Sequence, residues 1–142
     1  MTAEGMVHAL RLAHDWLGED GRLLDLHPNG EPAPVSIQLG SEIHRAGWVS
    51  EASDYAKYQE ANQAIAQAIR QKLFTVEQRE VIHFHTYGDS LEAIQTYLAE
   101  SWTEAHLDDL LVMRANDRLQ SIITPKQVIV TEIVRVMKLR PL

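Results

Sequence analysis

The sequence predicts an α/β domain, a partial mixed sheet of three main strands and a hairpin packed with about four helices. Three observations carry that reading. Apolar residues recur at the 3.6-residue period in several stretches, and elsewhere they alternate or run in continuous apolar blocks. The order helix, strand, hairpin, helix, strand, helices, strand interleaves the two kinds.

Thr2 to Leu17 is the first predicted helix. Met6, Leu10, Ala13 and Leu17 share one stripe, widened by Val7 and Leu12, and Gly18 is placed to end it. After Glu19-Asp20-Gly21, Arg22 to His27 is a short, largely apolar strand stopped by Pro28-Asn29-Gly30. Over 31–50, Val35, Ile37 and Leu39 alternate with Ser36 and Gln38. Gly40-Ser41 supplies a turn, and Glu42 to Val49 returns as the second arm of a hairpin. Pro32 and Pro34 suit an edge strand.

Glu51 to Leu73 is the longest periodic segment, with Tyr58, Ala61, Ile65, Ile69 and Leu73 three or four residues apart. A strand over roughly Glu77 to Tyr87 follows. Asp89 is placed to cap the next helix, with Glu92 as its reciprocal partner, and Leu91, Ile94, Leu98 and Trp102 line one face. A further helix over Glu104 to Ser121 carries Leu107, Leu111, Ala115 and Leu119 on its stripe, and Thr124-Pro125 breaks the chain. The last segment, Gln127 to Leu139, is strongly β. Val128, Val130, Val134 and Val136 point one way and Ile129, Ile133 and Met137 the other, the pattern of a strand covered on both faces.

Composition narrows the function classes. The 142 residues fit a single domain, residues 1–142, of ordinary globular composition, 45% apolar and 23% charged. Twenty acidic residues against 13 basic ones leave a net charge of −7, which offers nucleic acid or an anionic membrane no whole-surface attraction. Cysteine is absent, which excludes disulfides, thiolate chemistry and Cys-ligated zinc. No apolar run approaches the roughly 20 residues of a membrane helix, and no signal-peptide pattern opens the chain. The expectation is a cytoplasmic protein that binds neither nucleic acid nor membrane.

No Gly-rich phosphate loop and no nucleophile elbow occur. His83 and His85, two apart on a strand, point to one side and are candidate metal ligands, with His27 a conceivable third. A solvated strand face is the favoured account of them. It is also favoured for Glu77, Glu80 and the Asp108-Asp109 pair, while Glu132 reads as a paired structural carboxylate. Trp16 and Trp102 read as core and rim aromatics. Trp48, Tyr55 and Tyr58, with the Asn29-Gly30 loop, are the candidate ligand pocket.

Gly5-Met6-Val7-His8-Ala9-Leu10, then Trp16-Leu17-Gly18-Glu19-Asp20-Gly21-Arg22-Leu23-Leu24-Asp25-Leu26-His27-Pro28, resembles the second half of a class I S-adenosylmethionine-dependent methyltransferase. There a helix turns through a leucine and glycine corner into the fifth strand; Glu-Asp-Gly stands here where the family often has Pro-Gly-Gly. Leu73-Phe74-Thr75, His85 to Glu92, Tyr97-Leu98 and Trp102 are similar to the segment before the last strand of small-molecule members. The resemblance spans nearly the whole chain, with the hairpin at about 31–50 as an insertion.

The resemblance implies a last strand lying between the fifth and sixth and antiparallel to its neighbours. It also implies that the cofactor-holding half of the family precedes what is present here, so no catalytic or cofactor residue carries over. The expected function is a non-catalytic binding or interaction module, not active alone. It would act as a homodimer through the edge of Arg22 to His27 or through the hairpin. The alternative is the substrate-binding half of a small-molecule methyltransferase completed by another chain, with S-adenosylmethionine bound only then.

Overall fold

The computed structural model describes residues 2–53 and 55–142. In chain order its elements are α1 (Ala3–Leu17), β1 (Leu23–Pro28), β2 (Pro34–Leu39), β3 (Glu42–Trp48), β4 (Ser50–Glu51), α2 (Ala56–Arg70), β5 (Phe74–Gly88), α3 (Leu91–Ser101), β6 (Ala105–His106), α4 (Asp109–Leu119) and β7 (Lys126–Pro141). This is an α/β fold with a mostly antiparallel sheet. Strands pair in the order β1–β7–β2–β3, β5 also pairs with β7, and β4 pairs with β6 apart from them. The helix expected over 51–73 is shorter at both ends, and position 54 within that range lies outside the described residues. The chain divides into two compact units.

The first unit comprises Met1–Glu31, Tyr55–Ile82 and Ile133–Leu142. Thr2 Oγ1 accepts the Gly5 N–H at 3.2 Å, satisfying one of the first-turn donors of α1. Gly18 ends that helix at φ 62°, a left-handed conformation glycine adopts without steric cost. β1 pairs antiparallel with β7 from Leu23↔Leu139 to Pro28↔Val134. Asn29 continues the ladder, its N–H 2.9 Å from the Ile133 carbonyl. Odd-numbered residues of β1 therefore bond toward β7, while Leu24, Leu26 and Pro28 turn their backbone groups to the opposite edge. Among the described residues β1 pairs with β7 alone. Pro28 brings no N–H to that open edge, a position where proline is tolerated.

The core of this unit is Ile65, Ala68, Phe74, Met137 and Leu139, with Leu10 and Leu17 of α1 and Ile69 of α2 packed against it. The expected cover on both faces of the last strand does not hold here. Met137 and Leu139 are buried under α1 and α2, but Val134 and Val136 are only half-buried. Leu26, across the ladder from Val136, is 57% exposed, and Leu24, across from Lys138, is 61% exposed. Trp16 is a second correction: it is 82% exposed, because it sits about 100° around the helix from Leu17 and off the buried stripe.

The second unit comprises Pro32–Asp54 and His83–Glu132. β2 and β3 form the expected hairpin, Pro34↔Trp48 to Leu39↔Glu42, turning at Gly40 with φ 61°. β2 is not an edge strand, however, for it also pairs with β7 from Val35↔Val130 to Leu39↔Lys126. Pro34 fits because it opens the strand before that second ladder begins. Ser90, not Asp89, caps α3, its Oγ accepting the Ala93 N–H at 3.1 Å. α4 starts later than expected because Ala105–His106 forms a strand, and Asp108 caps it by accepting the Leu111 N–H at 2.8 Å. Val35, Ile37, Leu98, Leu111, Val128 and Val130 are among its buried core. Here Val128, Ile129 and Val130 are all buried, so this stretch of β7 is covered on both faces.

Candidate functional site

The densest polar cluster lies in the first unit and was built by strand alternation. Asp25 and His27 are two apart on β1 and so share a face, and Arg135 stands across the ladder from His27. Asn62 of α2 reaches the same place. His27 Nδ1 lies 3.1 Å from Asp25 Oδ1 and 2.9 Å from Oδ2, and Nε2 lies 2.7 Å from Asn62 Oδ1. Arg135 Nη1 donates to that same amide oxygen, and Asn62 Nδ2 donates to the Asn29 carbonyl at 3.2 Å. The side chains of His27 and Asp25 are only 11% and 18% exposed.

The donors and acceptors fix the protonation. Arginine only donates, so the Asn62 atom facing it is the oxygen, and the His27 Nε2 that faces the same oxygen carries a proton. Nδ1 carries another toward the carboxylate. With both ring nitrogens facing oxygen acceptors, the site favours the imidazolium, and the His27 pKa is raised above the usual histidine value. The Asp25 hydrogen bond is the main cause, with further support from Asn62 and the Asp25 charge. Burial and the Arg135 charge oppose it. Both ring nitrogens are engaged within the cluster, so neither is turned outward for the third metal-ligand role conceived for this histidine.

Beside the cluster, α1, α2 and β1 line a groove of about 320 Å³, at the small end of ligand cavities. Leu10, Ala13, Leu23, Ala61 and Ile65 are among its apolar walls, and Asp25 is its one charged lining residue. A second charged group occupies the same unit. Glu77 is held by Arg22 Nε at 2.9 Å, Lys138 Nζ at 3.5 Å and Arg140 Nε at 3.6 Å. The Arg22 hydrogen bond is the main reason its carboxyl stays below the usual range. It lies on an exposed face, as the sequence suggests, and three cations converge on it there.

The candidate pocket residues each make local contacts. Asn29 is half-buried, its Oδ1 accepting the Glu31 N–H at 3.0 Å while its carbonyl receives Asn62. Tyr55 is buried, with its ring centroid 5.9 Å from that of Tyr58, over which the Lys57 ammonium lies at 4.9 Å. Trp48 belongs to the second unit. It is 48% exposed, with the Arg45 guanidinium 5.5 Å from its ring. His83 and His85 are exposed on β5, and His85 Nδ1 lies 2.9 Å from Thr131 Oγ1. Among the described residues no three His, Cys, Asp or Glu side chains gather as a metal group. Trp102 packs against the second unit's core and donates its indole N–H to Glu51 at 2.9 Å.

Sequence reasoning passed over Asp25, Asn62 and Arg135. The period-two spacing of Asp25 and His27 was a usable signal, whereas nothing near Asn62 marks it. No family model, curated protein or solved structure matches the chain.

Proposed function

We propose that the chain is a methyltransferase-like, non-catalytic interaction module that acts in the cytoplasm as a homodimer. The observation that carries this reading is the open edge of β1. Leu24 and Leu26 direct backbone N–H and C=O groups outward there, and their side chains are exposed on the adjoining face. A row of unpaired backbone groups beside exposed leucines is a template for another strand, and a two-fold axis lets one copy supply it to the other. The last strand pairs antiparallel with β1, the strand that the resemblance reads as the family's fifth, which agrees with the methyltransferase-like reading. No cofactor, catalytic residue, nucleic acid or membrane enters this proposal.

Light scattering coupled to size-exclusion chromatography tests it: a dimer at micromolar concentration is expected, and a stable monomer overturns it. The same open edge also favours a second reading, in which a different chain pairs there and completes a substrate-binding half. A rise in melting temperature of the isolated chain with S-adenosylmethionine would count against a module lacking its own cofactor site.

A further inference from the structure

Only some registers of β1 against itself are compatible with its charges, and one of them is self-complementary. We infer that two copies pair antiparallel through β1 about an axis at Leu26, so that Asp25 of each copy faces His27 of the other. This inference rests on the homodimer proposed above and names its edge and register.

A two-fold axis perpendicular to the sheet preserves its faces, so it must run between the two copies of one strand residue, which then face each other. An axis at Asp25 sets carboxylate against carboxylate, and one at His27 sets imidazolium against imidazolium. Both place like charges directly opposite, which is destabilising. An axis at Leu24 sets each Asp25 carboxylate against Leu23, with no opposite charge facing it across the edge. With the axis at Leu26, Leu26 meets Leu26 and Leu24 meets Pro28 on the exposed face. On the other face each Asp25 carboxylate stands across from the second copy's His27, setting opposite charges side by side while the hydrogen bonds of both groups stay within their own copy.

The backbone agrees with this choice. Leu26 points its N–H and C=O to the open edge, so the two Leu26 residues can exchange two hydrogen bonds across the axis. Each Leu24 N–H then meets the Pro28 carbonyl of the second copy, for which that proline needs no N–H of its own. The occupant of the edge is a second copy because the strand's charges alternate in sign about its own midpoint, a property an unrelated strand would have to match.

The chain contains no cysteine, so single introduced thiols report the register directly. The Cα atoms of a hydrogen-bonded antiparallel pair lie about 5.5 Å apart, within the disulfide range. The Leu24 residues of the two copies would be separated by four positions, on the order of 13 Å. Under mild oxidation Leu26→Cys is expected to form a covalent dimer at least about tenfold faster than Leu24→Cys, as the steep distance dependence of disulfide geometry requires. Both sites are exposed, so neither substitution threatens the fold. Faster cross-linking of Leu24→Cys, or equal rates, overturns the register. A dimer by light scattering in which neither variant cross-links overturns pairing through β1 and leaves the homodimer standing. A monomer overturns both.

Discussion

The Asn62 amide oxygen lies 2.7 Å from His27 Nε2 while also receiving Arg135, so one neutral acceptor serves two cationic side chains. The three residues come from α2, β1 and β7. The acceptor is placed to hold together elements far apart in the chain, and removing it leaves two charged donors unsatisfied in a half-buried position.

Asn62→Ala should therefore cost about 2–3 kcal/mol of unfolding free energy, within the range for hydrogen bonds to charged groups. Urea titrations of the two proteins measure the difference. Asn62→Asp, which keeps two acceptor oxygens and adds a charge, should cost less than Asn62→Ala. The opposite order would mean that the amide acts through packing.

His27 makes stability depend on pH in a stated direction. Its folded pKa is raised above the unfolded value near 6.5, so its stabilisation is fully present below that value and is lost as pH rises through the folded pKa. His14 is shifted the same way by the Leu142 carbonyl and Asp15. The contribution of His27 is therefore read as wild type minus His27→Gln. That difference should shrink from pH 5.5 to pH 8.5, values that lie roughly a unit or more either side of the unperturbed histidine.

Glu77 behaves in the opposite sense. Its carboxyl is held low by Arg22 and Lys138, so its contribution is present above the ordinary glutamate range and lost as pH falls through the folded pKa. Comparison of wild type with Glu77→Gln at neutral pH should show a loss that diminishes as sodium chloride is added, because the group is open to solvent.

Helix α3 offers a direct choice between two capping residues. Ser90→Ala removes the oxygen that receives the Ala93 N–H and should cost about 1 kcal/mol. Asp89→Ala should cost no more than a few tenths, as for a surface substitution away from such a feature. Thermal unfolding of both variants checks the assignment.

At Gly30 the backbone has φ +86°, and an added Cβ would lie 3.3 Å from Gln59 Cγ. Gly30→Ala should therefore destabilise by about 1–2 kcal/mol, the cost of a left-handed conformation for a residue with a side chain. Since Asn29 precedes it and contacts Asn62, the NMR signals of the Asn62 side-chain amide should shift in the same variant.

The elements themselves were legible where one periodicity dominates. Val35, Ile37 and Leu39 alternate, and they form a buried strand face, while Val128 to Val130 announced a covered strand. The cap of α3 was misplaced by one residue because Asp89 and Ser90 are both capping types, and only the backbone decides between them. Trp16 reads as a core or rim aromatic because hydrophobicity says nothing of phase, and its position around the helix turns it outward. The polar cluster was hardest to see. Asn62 and Arg135 are 73 positions apart, and no local pattern brings an amide on a helix to an arginine on the last strand. Convergence of that kind comes from packing.

Pro28 also bears on what happens before any partner arrives. A newly made chain with an open strand edge is exposed to indiscriminate stacking, in which each added strand offers a fresh template to the next. A residue lacking N–H on the open side leaves one link of such a stack unmade, and the proposed pairing of two copies at Leu26 would use the edge up. Fibril growth through that edge is thereby disfavoured.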